Sequence, residues 1–233
     1  MQDKSAISTK SASKYNSEDF GVYLEKERHE MLNRIPKGAS TILDVGCAVG
    51  SFGQLIKSSR SSEVWGIEIN EYAASIAAQK LDRVICGAFD ETIDLPKSNF
   101  DCIVFNDVLE HLIDPYSALL HSKKLLQNGG KVVASIPNVR YFDNIWKLLV
   151  EKDWEYTKNG ILDRTHLRFF TCKSIIKTFD ELGYEIESIE GINPIEQEHP
   201  QHVRKFKIIN SMLLNQIEDM RYVQFAIVAR PKP

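Results

Sequence analysis

The chain has 233 residues, 43% of them hydrophobic and 26% charged, with 29 Lys and Arg against 32 Asp and Glu for a net charge of -3. That length suits one well-buried domain with an attached lid and falls short of two full domains. The charge balance argues against a general nucleic-acid binder, and no apolar run reaches the ~18 residues a membrane helix needs.

The opening "MQDKSAISTKSASKYNSED" is polar and lacks a signal peptide's apolar core. It predicts a flexible leader over 1–19, with a single domain over 20–233. Apolar residues at helical spacing from Phe20 to Arg34 predict a helix packed on that domain. An alternation follows: strand "STILDVG", helix "SFGQLIKSS", strand "EVWGIEI", helix "EYAASIAAQKL", and strands "RVICG" and "FDCIVF". Asp114 and Pro115 form an N-cap and first-turn pair opening the helix "PYSALLHSKKLL", with Gly129 and Gly130 as its stop. "KVVASIP" is the next strand. Near-continuous apolar strands separated by helices predict an α/β, doubly wound, mostly parallel sheet covered on both faces. Four cysteines, Cys47, Cys86, Cys102 and Cys172, form no CxxC pair and read as reduced thiols of a cytoplasmic protein.

The alternation breaks at Asn138. Residues 138–171 mix aromatic and charged side chains, and so long a departure predicts a lid or substrate segment. The helix "CKSIIKTFDELGY" and strand "YEIESIEGI" come next. A second insertion spans 193–221 with a helix around "VRKFKIINSMLLNQI", and "YVQFAIVARP" is the last strand. The basic "VRKFKII" reads as a solvated helix face or a homodimer contact rather than a nucleic-acid surface.

The most informative segment is "ILDVGCAVGSFGQLI". A strand ends at Asp44, glycines fall at Gly46 and Gly50, and a helix follows. Glycines let a ligand approach the backbone, and the helix start offers free N–H donors. An acid at the strand end is poor for a pyrophosphate but suits a cationic ligand. The next strand ends in Glu68, where a carboxylate accepts from ribose hydroxyls.

"ILDVGCAVGSFG", "WGIEIN", "FDCIVFNDVLEHLIDP" and "LLQNGGKVVASIPN" together resemble, in order, the motifs of class I S-adenosylmethionine-dependent methyltransferases. The resemblance runs from Thr41 to Asn138 and is nearest to members carrying "DVLEHL" and "DRTHLRFFT". It implies a Rossmann-like seven-stranded sheet with an antiparallel last strand, and S-adenosylmethionine as cofactor. By the same resemblance Asp44, Gly46, Cys47 and Gly50 border the cofactor's methionine part, and Glu68 and Ile69 its ribose. Phe89 and Asp90 lie by its adenine, although Ala88 stands where an acid is usual. Asn106 lies near the methionine end, through its backbone. Members of the group often methylate sugars or small metabolites, which implies O-methylation of a small-molecule acceptor such as a nucleotide-sugar or glycolipid precursor. An RNA ribose 2′-O-methyltransferase, a non-catalytic cofactor-binding subunit and an NAD-dependent oxidoreductase are the alternatives.

"NDVLEHLIDP" places Asp107, Glu110 and His111 at i, i+3, i+4, which one helical turn would bring to one face. Three readings stay open. His111 or His166 is a catalytic base, oriented by Glu110 or Asp163. Alternatively Asp107, Glu110, His111 and His166 hold Mg²⁺ or Mn²⁺, an arrangement similar to the "ExxEH" metal motif of small-RNA 2′-O-methyltransferases. In the third reading the turn is structural, hydrogen-bonding the lid and cofactor loop. In the lid, Arg164 and Arg168 suit an acceptor phosphate and Tyr141 a ring, against the plainer reading of Arg paired with Asp163 and an aromatic lid core.

Overall fold

The computed structural model describes residues 28–233. The leader over 1–19 and the first part of the Phe20–Arg34 helix lie outside the described residues. Within them that helix is the single turn α1, His29–Leu32. Among the described residues no helix is long and apolar enough to cross a membrane.

Seven strands form one sheet: β1 Thr41–Val45, β2 Glu63–Glu68, β3 Arg83–Cys86, β4 Phe100–Asn106, β5 Leu126–Pro137, β6 Tyr184–Pro194 and β7 Tyr222–Pro231. Their order is β3-β2-β1-β4-β5-β7-β6. The first five pair in parallel, while β7 runs antiparallel to both β5 and β6. The strand order reverses between β1 and β4, where an open α/β sheet leaves a crevice at its carboxyl edge.

Alternate residues of each strand enter opposite cores. Leu43, Ile67, Ile103, Phe105 and Ile227 face one layer with Leu119 of α4 (Pro115–Leu125) and Phe179 of α6 (Cys172–Glu181). Ile42, Val64, Val104 and Val133 face the other with Met31 of α1 and Phe52 and Ile56 of α2 (Ser51–Ser59). Burial on both faces explains why these strands read as continuous apolar runs.

Local chemistry sets the helix starts. Asp114 accepts from Tyr116 N–H and Ser117 N–H ahead of α4, Asn70 caps α3 (Glu71–Ala77), and Thr171 and Ser174 form a capping box on α6. One expected stop is wrong: α4 ends at Leu125, where Leu126 turns extended, before the Gly129–Gly130 pair is reached. Those glycines sit instead at the irregular start of β5, opposite a register shift in β4.

The two segments outside the alternation pack on one another. Residues 138–171 carry α5 (Phe142–Trp146), which continues as a π turn over Lys147–Glu151. Between β6 and β7 lie α7 (Ile195–Glu198) and α8 (Val203–Met212). Tyr141 and Phe142 share a third core with Ile195, Phe206 and Met220. Buried Asn138 fastens this unit to the sheet, donating to the Asp219 and Tyr222 carbonyls at 2.8 and 3.0 Å.

Candidate active site

The crevice begins at the turn after β1. Gly46 N–H and Cys47 N–H both donate to the Ile67 carbonyl, at 2.8 and 3.0 Å, which draws the turn across the end of β2. Gly46 has φ +69°, and a Cβ there would meet Val108 Cγ2 at 2.7 Å. Glycine is required at that position by both backbone conformation and space. Gly50 opens α2 without a side-chain cap.

Two acids sit under this turn. Asp44 is 2% exposed, and burial, reinforced by the charge of Glu68, raises its pKa to about 7. Glu68 accepts from Ala48 N–H (2.9 Å) on one oxygen and from Asn70 N–H (2.8 Å) on the other. A buried acid titrating near neutrality beside a second carboxylate is a receptor for positive charge. Cys47 is buried, and its thiol is pushed up by burial and by these two acids, so it is an inert lining group.

Along the edge, Phe89 is nearly buried, edge-on to Phe105 and against His121 (ring centres 5.6 and 5.2 Å). Asp90 Oδ1 is engaged by its own loop, accepting from Thr92 N–H and Thr92 Oγ1. Ile69 is half exposed. At the end of β4 both polar atoms of the Asn106 side chain are buried without a hydrogen-bond partner. The sequence pointed to this residue's backbone; the side-chain amide is the group left open.

Past Asn106 the sequence-based expectation divides. Leu109–His111 form a single 3-10 turn, and Asp107 stands before it with φ +55°. That left-handed residue swings the Asp107 carboxylate away from the other two. It accepts instead from Arg28, from Ser135 Oγ (2.7 Å) and from Gln224 Nε2 (2.7 Å). Asp107 is therefore not part of the cluster expected to hold a metal. Arg28, Ser135 and Gln224 are far off in sequence, so no local spacing could have announced them.

Glu110, His111 and His166 do come together, their potential ligand atoms all within 4.8 Å of one another. Backbone pairing brings His166 in: Leu167 N–H and Arg168 N–H both donate to the Glu110 carbonyl, at 2.8 and 3.1 Å. The two imidazoles meet edge to face at 4.6 Å. Glu110 is 1% exposed, neither of its carboxylate oxygens has a hydrogen-bond partner, and His166 Nε2 lies 4.0 Å from Oε1. Burial, then the charge of Asp107, raises the Glu110 pKa well above the usual carboxylate range.

The ring tautomers follow from the partners. His166 Nδ1 lies 2.9 Å from the Ile161 carbonyl, an acceptor only, so Nδ1 carries the proton. Thr165 Oγ1 donates to Asp163 Oδ1 (2.6 Å) and so accepts from His111 Nδ1 (3.0 Å). In the neutral form of each ring, Nε2 is then the lone pair. Burial and the neighbouring His166 lower the His111 pKa, keeping that ring neutral at physiological pH. Thr165 went unnoticed in the sequence, although its place two residues after Asp163 is the spacing of an Asx turn.

Tyr141, expected against an acceptor ring, is buried in the third core with its hydroxyl 2.9 Å from His199 Nδ1. Arg168 donates to the Ile113 and Leu167 carbonyls at 2.5 and 3.0 Å, and Arg164 reaches the Tyr156 carbonyl at 3.4 Å.

This sheet order, with an acidic glycine turn after β1 and a second acid ending β2, defines a class I S-adenosylmethionine-dependent methyltransferase. The chain belongs to the methyltransferase-domain family, whose profile matches residues 15–189. It is 27% identical over 168 residues to an uncharacterized protein of Methanocaldococcus jannaschii, covering 72% of this chain and 75% of that one. It is likewise 27% identical over 164 residues to the ubiquinone biosynthesis O-methyltransferase of Idiomarina loihiensis, covering 66% of each. A SAM-dependent methyltransferase from Archaeoglobus fulgidus shares the fold with a TM-score of 0.64 at 20% identity, over 86% of this chain and 90% of that one.

Proposed function

We propose that this methyltransferase acts on a hydroxyl oxygen of a small-molecule acceptor, and that the Glu110–His111–His166 pocket handles the hydroxyl proton. The buried cluster following β4 carries this reading: two imidazoles, each holding Nδ1 against a protein acceptor, beside an unpartnered carboxylate. The Idiomarina relative is named an O-methyltransferase, which supports oxygen as the acceptor atom.

S-adenosylmethionine supplies, when bound, an electrophilic methyl group on a sulfonium whose leaving group is a neutral thioether. The residues of the crevice fit it. Asp44 would face the cationic methionine end, Gly46 gives room for close backbone approach, and Cys47 and Gly50 border it. The Glu68 carboxylate, held by two backbone amides, keeps lone pairs for the ribose, with Ile69 beside it. Phe89 and Asp90 flank the adenine side, and the open Asn106 amide completes the methionine end. On the acceptor side the hydroxyl O–H bond breaks as the O–C bond forms, and the pocket lowers the cost of that proton loss. Alignment and exclusion of water do the rest, since the leaving group is intrinsically good.

The test is turnover over sugar-nucleotide, phenolic and RNA-end acceptors. His166→Ala is expected to cut kcat by ~100-fold or more, the range of proton-transfer catalysis, with cofactor affinity unchanged. Full activity in that variant would sink the reading.

The 138–171 segment is the acceptor-side lid. Arg164 and Arg168 would receive an acceptor phosphate, as their hydrogen bonds run to backbone carbonyls that an anion outcompetes. Arg164→Ala with Arg168→Ala should raise KM for a phosphate-bearing acceptor by ~10-fold or more while sparing a neutral one. An unmoved KM removes the anion from this proposal.

A further inference from the structure

The pocket beside β4 has the make-up of a metal site as well as that of a bare base. A buried carboxylate without a hydrogen-bond partner is costly unless something positive meets it. Each imidazole that ligates a metal ordinarily donates its other N–H to a carbonyl or to an oxygen oriented by a carboxylate. Both features are in place here: His166 is anchored through Ile161, and His111 through Thr165, itself held by Asp163. The three ligand atoms lie within 4.8 Å of one another. Tetrahedral ligation at about 2.1 Å places neighbouring donors ~3.4 Å apart, so small side-chain rotations close the site.

We propose that Glu110, His111 and His166 bind one divalent first-row transition-metal ion, such as Zn²⁺, through a carboxylate oxygen and two imidazole Nε2 atoms. Without Asp107 the donor set is two nitrogens and one carboxylate. That set suits Zn²⁺, Co²⁺, Mn²⁺ or Fe²⁺ and is poor for Mg²⁺, which favours oxygen ligands. The inference rests on the O-methyl-transfer reading in one respect: three protein ligands leave a position where an acceptor hydroxyl would lose its proton more readily.

The test uses tag-free, full-length protein stripped with EDTA, titrated calorimetrically with ZnCl₂, CoCl₂ and MgCl₂, and assayed for turnover in parallel. One equivalent of Zn²⁺ is expected to bind with a Kd of micromolar or tighter, with no Mg²⁺ heat. Glu110→Gln and His166→Ala should each weaken Zn²⁺ binding by ~100-fold, the scale of losing one ligand of three. In case a variant folds poorly, visible d–d bands of low-symmetry Co²⁺ in the wild-type protein give a second measure. Absence of stoichiometric Zn²⁺ and of these bands, or binding indifferent to both substitutions, overturns the metal site. The two proposals fail separately: turnover by metal-free protein that binds no Zn²⁺ ends this one and leaves oxygen methylation standing. Tight, variant-sensitive Zn²⁺ binding without turnover on any hydroxyl acceptor does the reverse.

Discussion

Asp44→Asn is expected to weaken S-adenosylmethionine binding by ~100-fold or more while raising the melting temperature of the ligand-free protein. Both effects come from one buried charge. Asp44 lies under the glycine turn with a pKa of about 7, raised by burial and then by Glu68. In the unfolded chain an aspartate titrates near 3.9, so between about pH 4 and 7 the folded state holds more protons than the unfolded one. Stability from this group is present below that window and is lost as pH rises through 7. The loss is on the order of 4 kcal/mol if the full shift is realised. Asn removes it, and thermal melts at pH 8 should show a gain on the order of 10 °C. A cationic ligand has the opposite preference. It draws Asp44 back to the charged form, so wild-type affinity should fall by up to ~tenfold per pH unit below 7 and level off above it. Titration calorimetry from pH 5.5 to 8.5 reads this slope, and Asp44→Asn should abolish it. Equal cofactor affinity in the two proteins would mean that the acid serves the fold alone.

Asp107→Ala should show the reverse profile, a large loss of stability with Zn²⁺ affinity kept within ~3-fold. Its carboxylate joins Arg28, Ser135 and Gln224 across four separate parts of the chain. Arg28 has only 10% of its side chain exposed. Alanine would leave that guanidinium to Glu30 and Gln224 and place a β-carbon without a polar handle at φ +55°. Removing one partner of a largely buried pair costs about 3 kcal/mol, a drop of roughly 6–10 °C at this chain length. Chemical denaturation reads the first quantity and calorimetry with Zn²⁺ the second. If Zn²⁺ affinity collapsed while the melt stayed put, Asp107 would return to the ligand set.

Much of the fold was legible because its signals are local. β-branched and apolar runs marked every strand from Thr41 to Pro231, and Asp114–Pro115 marked a helix start through hydrogen bonds within three residues. Helix ends were less legible. Neither α3 nor α8 runs as far as its apolar pattern, stopping at Ala77 and Met212. A pattern reports which face can be buried, and neighbouring elements decide how much of it is.

The candidate site divides along the same line. The sequence by itself determined the acidic glycine turn at Asp44–Gly50 and the second acid at Glu68, since both depend on adjacent residues and on the strand ends that carry them. It also held all the members of the Glu110–His111–His166 cluster. Only the tertiary structure decided which neighbours joined that cluster. Asp107, three residues from Glu110, was lost to it through one left-handed residue and three distant donors. His166, far along the chain, was gained through two backbone hydrogen bonds to the Glu110 carbonyl. Spacing in sequence specifies a common face only while a helix persists. Where the chain leaves the helix after a single 3-10 turn, backbone dihedral angles and long-range hydrogen bonds set the direction of each side chain.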